Sequence, residues 1–153
     1  MVVRRVALVV MATAALAGCG SGGSSGASPS DGGSTAVTSI DQVEGKSFVS
    51  TSVKGRDLVA GTSLKLSFEG GRMSANAGCN TMSGGATVSG GLLKWSGHPL
   101  QTMMACGDGK DEQEKWFSGL LTNGVKAAET GDGHVVLSTD AVTIDLGPAP
   151  ASS

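Results

Sequence analysis

The stretch Ser63–Ala77, "SLKLSFEGGRMSANA", decides the fold. Leu64, Leu66 and Phe68 alternate with Lys65, Ser67 and Glu69, the period-2 pattern of a strand with one face buried and one wet. The Gly70–Gly71 pair then turns the chain into "RMSANA", where Met73, Ala75 and Ala77 repeat the alternation. Two such runs joined by Gly-Gly read as an antiparallel hairpin. Outward from it the period recurs at Ala86 and Val88, at Leu93 and Trp95, at Val135 and Leu137, and at Val142, Ile144 and Leu146. Short turns such as "TGDG", Thr130–Gly133, separate several of these runs, so an antiparallel sheet is expected.

One segment breaks the pattern. From Asp111 to Asn123, "DEQEKWFSGLLTN" places Gln113, Trp116, Phe117, Leu120 and Leu121 at helical spacing, with acids in the first turn and Asn123–Gly124 as a stop. Asp108 or Asp111 is the expected cap, because a short carboxylate there accepts free backbone N–H groups at the positive end of the helix dipole. An α+β fold follows, with the antiparallel sheet curled around a single amphipathic helix so that both apolar faces are covered.

Ahead of this domain the chain carries an export signature. Arg4 and Arg5 precede an apolar run, Val6–Leu16, that is well short of the roughly 20 residues a membrane-spanning helix needs. The run ends in "LAGC", Leu16–Cys19, which resembles the bacterial lipobox. The resemblance implies that residues 1–18 are a lipoprotein signal peptide, cleaved between Gly18 and Cys19, and that the Cys19 sulfur carries a diacylglyceryl group with fatty acyl chains of the palmitate type. "RRVAL" lacks the fuller twin-arginine pattern, so general secretion is the default route. Each buried methylene adds about 0.8 kcal/mol, and two or three long chains hold a small domain firmly at a membrane surface. The expected location is therefore the extracytoplasmic face of the cell membrane.

Residues 19–38 read as the lipidated cysteine and a linker: "GSGGSSGASPSDGGST", Gly20–Thr35, has no large apolar residue and cannot offset the entropy of ordering. The domain is expected over 39–147, with 148–153 as a disordered tail. About 110 residues suffice for one hydrophobic core. Thirteen carboxylates face eleven lysines and arginines in the whole chain, and nine once Arg4 and Arg5 are set aside. That balance offers no basic face for nucleic acid. The chain also has no internal repeat, no P-loop and no dinucleotide fingerprint.

If the register of Met73, Ala75 and Ala77 runs on, Cys79 points to the core, and the parity of Leu100, Thr102 and Met104 carries Cys106 inward as well. A bulge at Gly78 would shift this by one. With Cys19 consumed by lipid, two inward cysteines in an oxidising space are expected to form a disulfide. Closing a loop of about 27 residues contributes roughly 3.5 kcal/mol on loop-closure entropy.

At these residues the chain resembles the META domain family. Gly78, Cys79, Asn80, Ser83 and Gly84 of "AGCNTMSG" match the family's Gly-Cys-Asn element. The likeness continues through "QTMMAC", Gln101–Cys106, with Thr102 and Cys106, and into the helix at Glu114, Phe117 and Leu120. "GKSFVSTSVKG" and "GTSLKLSFEGGRMSA" are similar to the opening strands, with Phe48 where a Trp is commoner. The resemblance implies an antiparallel sheet with one helix and an envelope or stress association. It implies no catalytic activity.

No catalytic residue, metal ligand or cofactor is assigned from the sequence. His98 before Pro99 and His134 after "GDG" read as turn or edge residues. "CGDGKDEQE" lacks the alternating oxygen ligands of a calcium loop, and Met103 and Met104 are expected to pack. Asn80 either caps local backbone groups or lines a binding surface, the structural role being preferred. The function expected is a non-enzymatic binding or structural module, with an envelope protein or glycan as partner. The alternative is an extracytoplasmic enzyme using Cys79 and Cys106 as a redox dithiol, or Cys79 as a nucleophile with His98 or His134 as base.

Overall fold

The computed structural model describes residues 33–150. The signal, Cys19 and linker residues 20–32 lie outside the described residues, as do residues 151–153. Ten strands and one α-helix make up the described chain: β1 Thr35–Ala36, β2 Ser47–Lys54, β3 Lys65–Glu69, β4 Arg72–Asn76, β5 Thr81–Ser89, β6 Leu92–Trp95, β7 Leu100–Gln101, α1 Lys110–Asn123, β8 Val125–Glu129, β9 Val135–Ser138 and β10 Thr143–Pro148. A single 3-10 turn, Ile40–Gln42, is held by a capping box between Ser39 and Gln42.

The hairpin expected from "SLKLSFEGGRMSANA" is β3–β4, with Phe68 opposite Met73 and Leu66 opposite Ala75. All pairings are antiparallel. Following them from β2 through β3, β4, β5, β6, β8, β9 and β10 leads back to β2, so eight strands form a closed ring. β1 extends β8 and β7 lies on β5. Inward residues of every strand in the ring fill one core: Phe48, Leu66, Phe68, Met73, Met82, Leu93, Val125, Leu137, Ile144 and Leu146 are all buried. Phe48 meets Phe68 edge-on, ring centroids 6.3 Å apart.

The folded unit is longer than the expected 39–147. Thr35 and Ala36 pair with Glu129 and Ala128, Val37 is buried, and the Ala149 N–H donates to the Ser47 carbonyl. A strand of two residues has no period, so these end pieces carry no pattern signal.

The helix lies where expected and stops at Asn123, with Gly124 at φ 93° as its C-cap. Neither Asp108 nor Asp111 is the N-cap. That position is Gly109 in left-handed backbone, with Asp108 itself at φ 61° and no side-chain capping bond. Asp111 and Glu112 still stand in the first turn, where the dipole favours negative charge. The buried face is Gln113, Glu114, Phe117 and Leu121, while Trp116 and Leu120 are half-buried at the rim of the core. Arg56 lies over the Trp116 ring, 4.6 Å from its centroid. No described helix is long and apolar enough to cross a membrane.

Candidate functional site

The turn between β4 and β5, residues 77–80, is built around Gly78. Its φ is +105°, and a Cβ there would come within 2.7 Å of the Thr62 side chain, so no larger residue fits. Asn76 holds this turn from within: its Oδ1 accepts the Gly78 N–H, and its Nδ2 donates to the carbonyls of Cys79 and Asn80. The turn also reverses the inward parity. Met73, Ala75 and Ala77 are buried before it, Asn80 and Met82 after it.

Cys79 is therefore a half-buried turn residue, not a core strand position. The parity expected on the other side fails as well, because Leu100, Thr102 and Met104 are exposed while Cys106 is buried. The pairing itself is present: Cys79 and Cys106 are disulfide-bonded, with Cα atoms 6.1 Å apart.

Asn80 is the hub of the site. Its Oδ1 accepts the Thr102 hydroxyl at 2.9 Å and the Met104 N–H at 2.8 Å. Its Nδ2 donates to the Met104 carbonyl at 3.1 Å and lies 3.2 Å from the Cys106 sulfur. Its backbone N–H donates to Glu114 Oε2 at 2.9 Å, and the other Glu114 oxygen accepts from Gln101 Nε2. Thr102 and Thr81 complete the join, the Thr81 N–H donating to the Thr102 hydroxyl and the Thr102 N–H to the Thr81 carbonyl. Every polar group of the Asn80 side chain is thus used within the fold, as a buried amide requires.

Gln113 plays the matching role one turn away. Its Oε1 accepts the Val59 N–H at 2.6 Å, and its Nε2 donates to Thr62 Oγ1 and to the Ala77 carbonyl. Of the motif residues, the structure brings together Gly78, Cys79, Asn80, Thr102, Cys106 and Glu114. Ser83 and Gly84 stand further along β5, where Gly84 leaves room for Pro99 and Trp95; a Cβ there would lie 3.1 Å from Pro99.

Met103 and Met104 do not pack. They are 92% and 60% exposed, and Leu100 beside them is 76% exposed. The loop uses its backbone to grip Asn80 and turns these apolar side chains outward.

His98 is exposed, whereas His134, immediately before β9, sits between two acids. Its Nδ1 is 2.6 Å from Asp145 Oδ1, and its Nε2 is 4.0 Å from Asp132 Oδ2. Donation from the ring Nδ1–H to the Asp145 carboxylate raises the imidazole above its ordinary pKa. Asp132 is held below its own by the Thr130 hydroxyl. A one-residue slip between β2 and β10 brings the Thr51 hydroxyl onto Asp145. Neither histidine is near the disulfide in the hydrogen-bond network described, and no thiol–imidazole pair forms among the described residues.

A hollow of about 940 Å³ is an open trough on the outer sheet face whose polar lining is Ser47, Lys65, Ser67, Ser74, Asn76 and Thr81. Small hydroxyls, one amide and one ammonium alternate there with apolar groups such as Val49, Ala149 and Pro150, a surface that can form hydrogen bonds but holds no acid–base pair.

A closed antiparallel ring with one helix, locked by a single disulfide and a buried asparagine hub, defines a small disulfide-bonded α+β domain. Within that class the chain belongs to the META domain family, whose profile matches residues 41–149. A solved NMR structure of a protein from Burkholderia xenovorans is similar in fold, with a TM-score of 0.58 at 19% identity, covering 72% of this chain and 86% of that one. A second NMR structure has a TM-score of 0.56 at 24% identity, covering 72% and 94%. No curated protein matches the chain at a significant level.

Proposed function

We propose that this chain is a lipid-anchored protein of the bacterial cell envelope whose META domain is a non-enzymatic binding or structural module with a stress-protective role. Lipid on Cys19 holds it at the extracytoplasmic face of the membrane, and the Gly/Ser-rich segment after it spaces the domain from the headgroups. We infer also that the sheet curls around α1, which is supported by the complete burial of Phe117 and Leu121 in the same core as the strand residues.

The observation that carries the non-enzymatic reading is the use of Asn80, Cys79, Cys106 and Glu114 on one another. The residues with the most chemistry in them are spent on holding the β4–β5 turn, the loop 101–106 and α1 together. What the same loop leaves available is apolar surface, Leu100, Met103 and Met104, on a frame fixed by the disulfide. Exposed methionines suit an adaptable contact with an envelope partner.

Replacing Leu100, Met103 and Met104 together by Ser is expected to leave the unfolding midpoint within experimental error while reducing crosslinks formed on intact membranes. Unchanged crosslinking would remove the loop from any binding role. Cys19→Ala is expected to abolish incorporation of labelled fatty acid and leave an uncleaved precursor; continued acylation would sink the anchoring part of the reading.

A further inference from the structure

We propose that, whenever the Cys79–Cys106 bond is reduced, its two thiolates and the Glu114 carboxylate form a binding site for a thiophilic divalent cation of the Zn²⁺ type. The sulfur atoms and a Glu114 oxygen already lie within 4.8 Å of one another. Cys106 is 8% and Glu114 4% exposed, and among the described residues Glu114 makes no ion pair. Reduction by a phosphine breaks the S–S bond, oxidises the phosphine to its oxide with an oxygen from water, and leaves two thiols. Metal uptake then releases one proton from each thiol as its sulfur lone pair turns to the ion.

The reduced pocket would place up to three negative groups side by side in low dielectric, an arrangement that a divalent cation neutralises. Zinc takes sulfur at about 2.3 Å and carboxylate oxygen at about 2.1 Å, so a tetrahedral site needs ligand atoms roughly 3.5 to 3.8 Å apart. With the Cα atoms 6.1 Å apart, side-chain rotation alone can separate the sulfurs to that distance.

The surroundings are built as metal sites are, with donors fixing the ligand atoms. The Asn80 amide points its Nδ2 at the Cys106 sulfur; the Asn80 N–H and Gln101 Nε2 each hold one oxygen of Glu114. Each carboxylate oxygen has a second lone pair for the ion. Of the three ligands Cys79 alone is not buried, and it lines a cleft of about 280 Å³ together with Thr62, Ser63 and Asn76, so the ion would enter from the Cys79 side. A separation of 27 residues between the cysteines conceals all of this from motif reading. The consequence is competition: the ion and the disulfide exclude each other, so bound metal slows oxidation of a reduced chain.

The test uses the full domain reduced with phosphine and Co²⁺ as an optical stand-in for Zn²⁺. One equivalent of Co²⁺ is expected to give a thiolate-to-metal charge-transfer band, bleached by Zn²⁺ and absent from the oxidised protein. Glu114→Gln, first checked for native near-ultraviolet circular dichroism when oxidised, should weaken Co²⁺ at least tenfold. Cys79→Ser should lower affinity further and lose much of the band. If reduction loosens the fold, the readout becomes the thermal midpoint of reduced protein: Zn²⁺ should raise it in wild type and much less in Glu114→Gln. A reduced protein without the band and without a Zn²⁺-dependent midpoint overturns the proposal, as does equal affinity in wild type and Glu114→Gln.

Discussion

Asn80→Ala removes the amide on which the loop 101–106 is hung, and the size of the loss can be worked from its contacts. Four hydrogen bonds go: from the Thr102 hydroxyl, from the Met104 N–H, to the Met104 carbonyl and to the Cys106 sulfur. A neutral bond contributes roughly 1 kcal/mol net, and a buried group left without a partner costs about 1–3 kcal/mol. Thr102 and Met104 lie on exposed loop, where water can replace part of the loss, so the total comes to about 2–4 kcal/mol. In urea, with a slope of about 2 kcal/mol/M, a loss of about 3 kcal/mol moves the midpoint down by roughly 1.5 M. The fluorescence of Trp95 and Trp116 reports the transition. Asn80→Asp sharpens the test. Aspartate keeps one acceptor for Thr102 and Met104 but turns an oxygen toward the Met104 carbonyl and adds a like charge near Glu114, so it should be at least as damaging as Ala. A surface asparagine waiting for a ligand would accept either change within about 0.5 kcal/mol. That result would refute the hub.

Cys79→Ala and Cys106→Ala should each cost about 2–5 kcal/mol, and the double variant no more than either, since one bond is lost in all three; denaturant titration of the set checks it. Phe117→Ala should cost about 3–5 kcal/mol, whereas Lys115→Ala on the exposed helix face should stay within about 0.5 kcal/mol, measured by the same titration. His134 has a folded pKa raised by Asp145, so its contribution is fully present below the unfolded imidazole pKa and is lost as pH rises through the folded value. An imidazole NMR titration should therefore show a midpoint above that of a free histidine, brought back by Asp145→Asn. Asp132 has the opposite sign: lowered when folded, it favours the fold above its unfolded pKa and stops doing so as pH falls through the folded value.

The strands were readable because alternation is a local property, and Leu64, Leu66, Phe68 and Met73 all bury as the pattern requires. The ring was not, since its closure depends on β10 pairing with β2 from the far end of the chain and on β6 meeting β8 across the helix, long-range choices with no sequence period. The helix was legible in extent, and Gln113 on its inner face was visible at the right spacing. Its partners, a Val59 amide and the Ala77 carbonyl, were not, because they belong to distant loops. Parity failed around Cys79 for a definite reason: "AGCN" is the turn itself, and a positive φ at Gly78 resets which side faces in. Met103 and Met104 misled through composition. Apolar residues in a motif suggest packing, yet here the motif needs only the Met104 main chain.

A ring of strands has no end at which unzipping can begin. In an open sheet the outermost ladder frays first and hands the next strand to water, whereas each of these eight segments is clasped from both sides. Releasing any one requires two ladders to part together, and the segment released leaves two raw borders behind. Local breathing should accordingly be confined to the turns and to the two-residue pieces Thr35–Ala36 and Leu100–Gln101, while the amide protons of the ring exchange late and nearly in step.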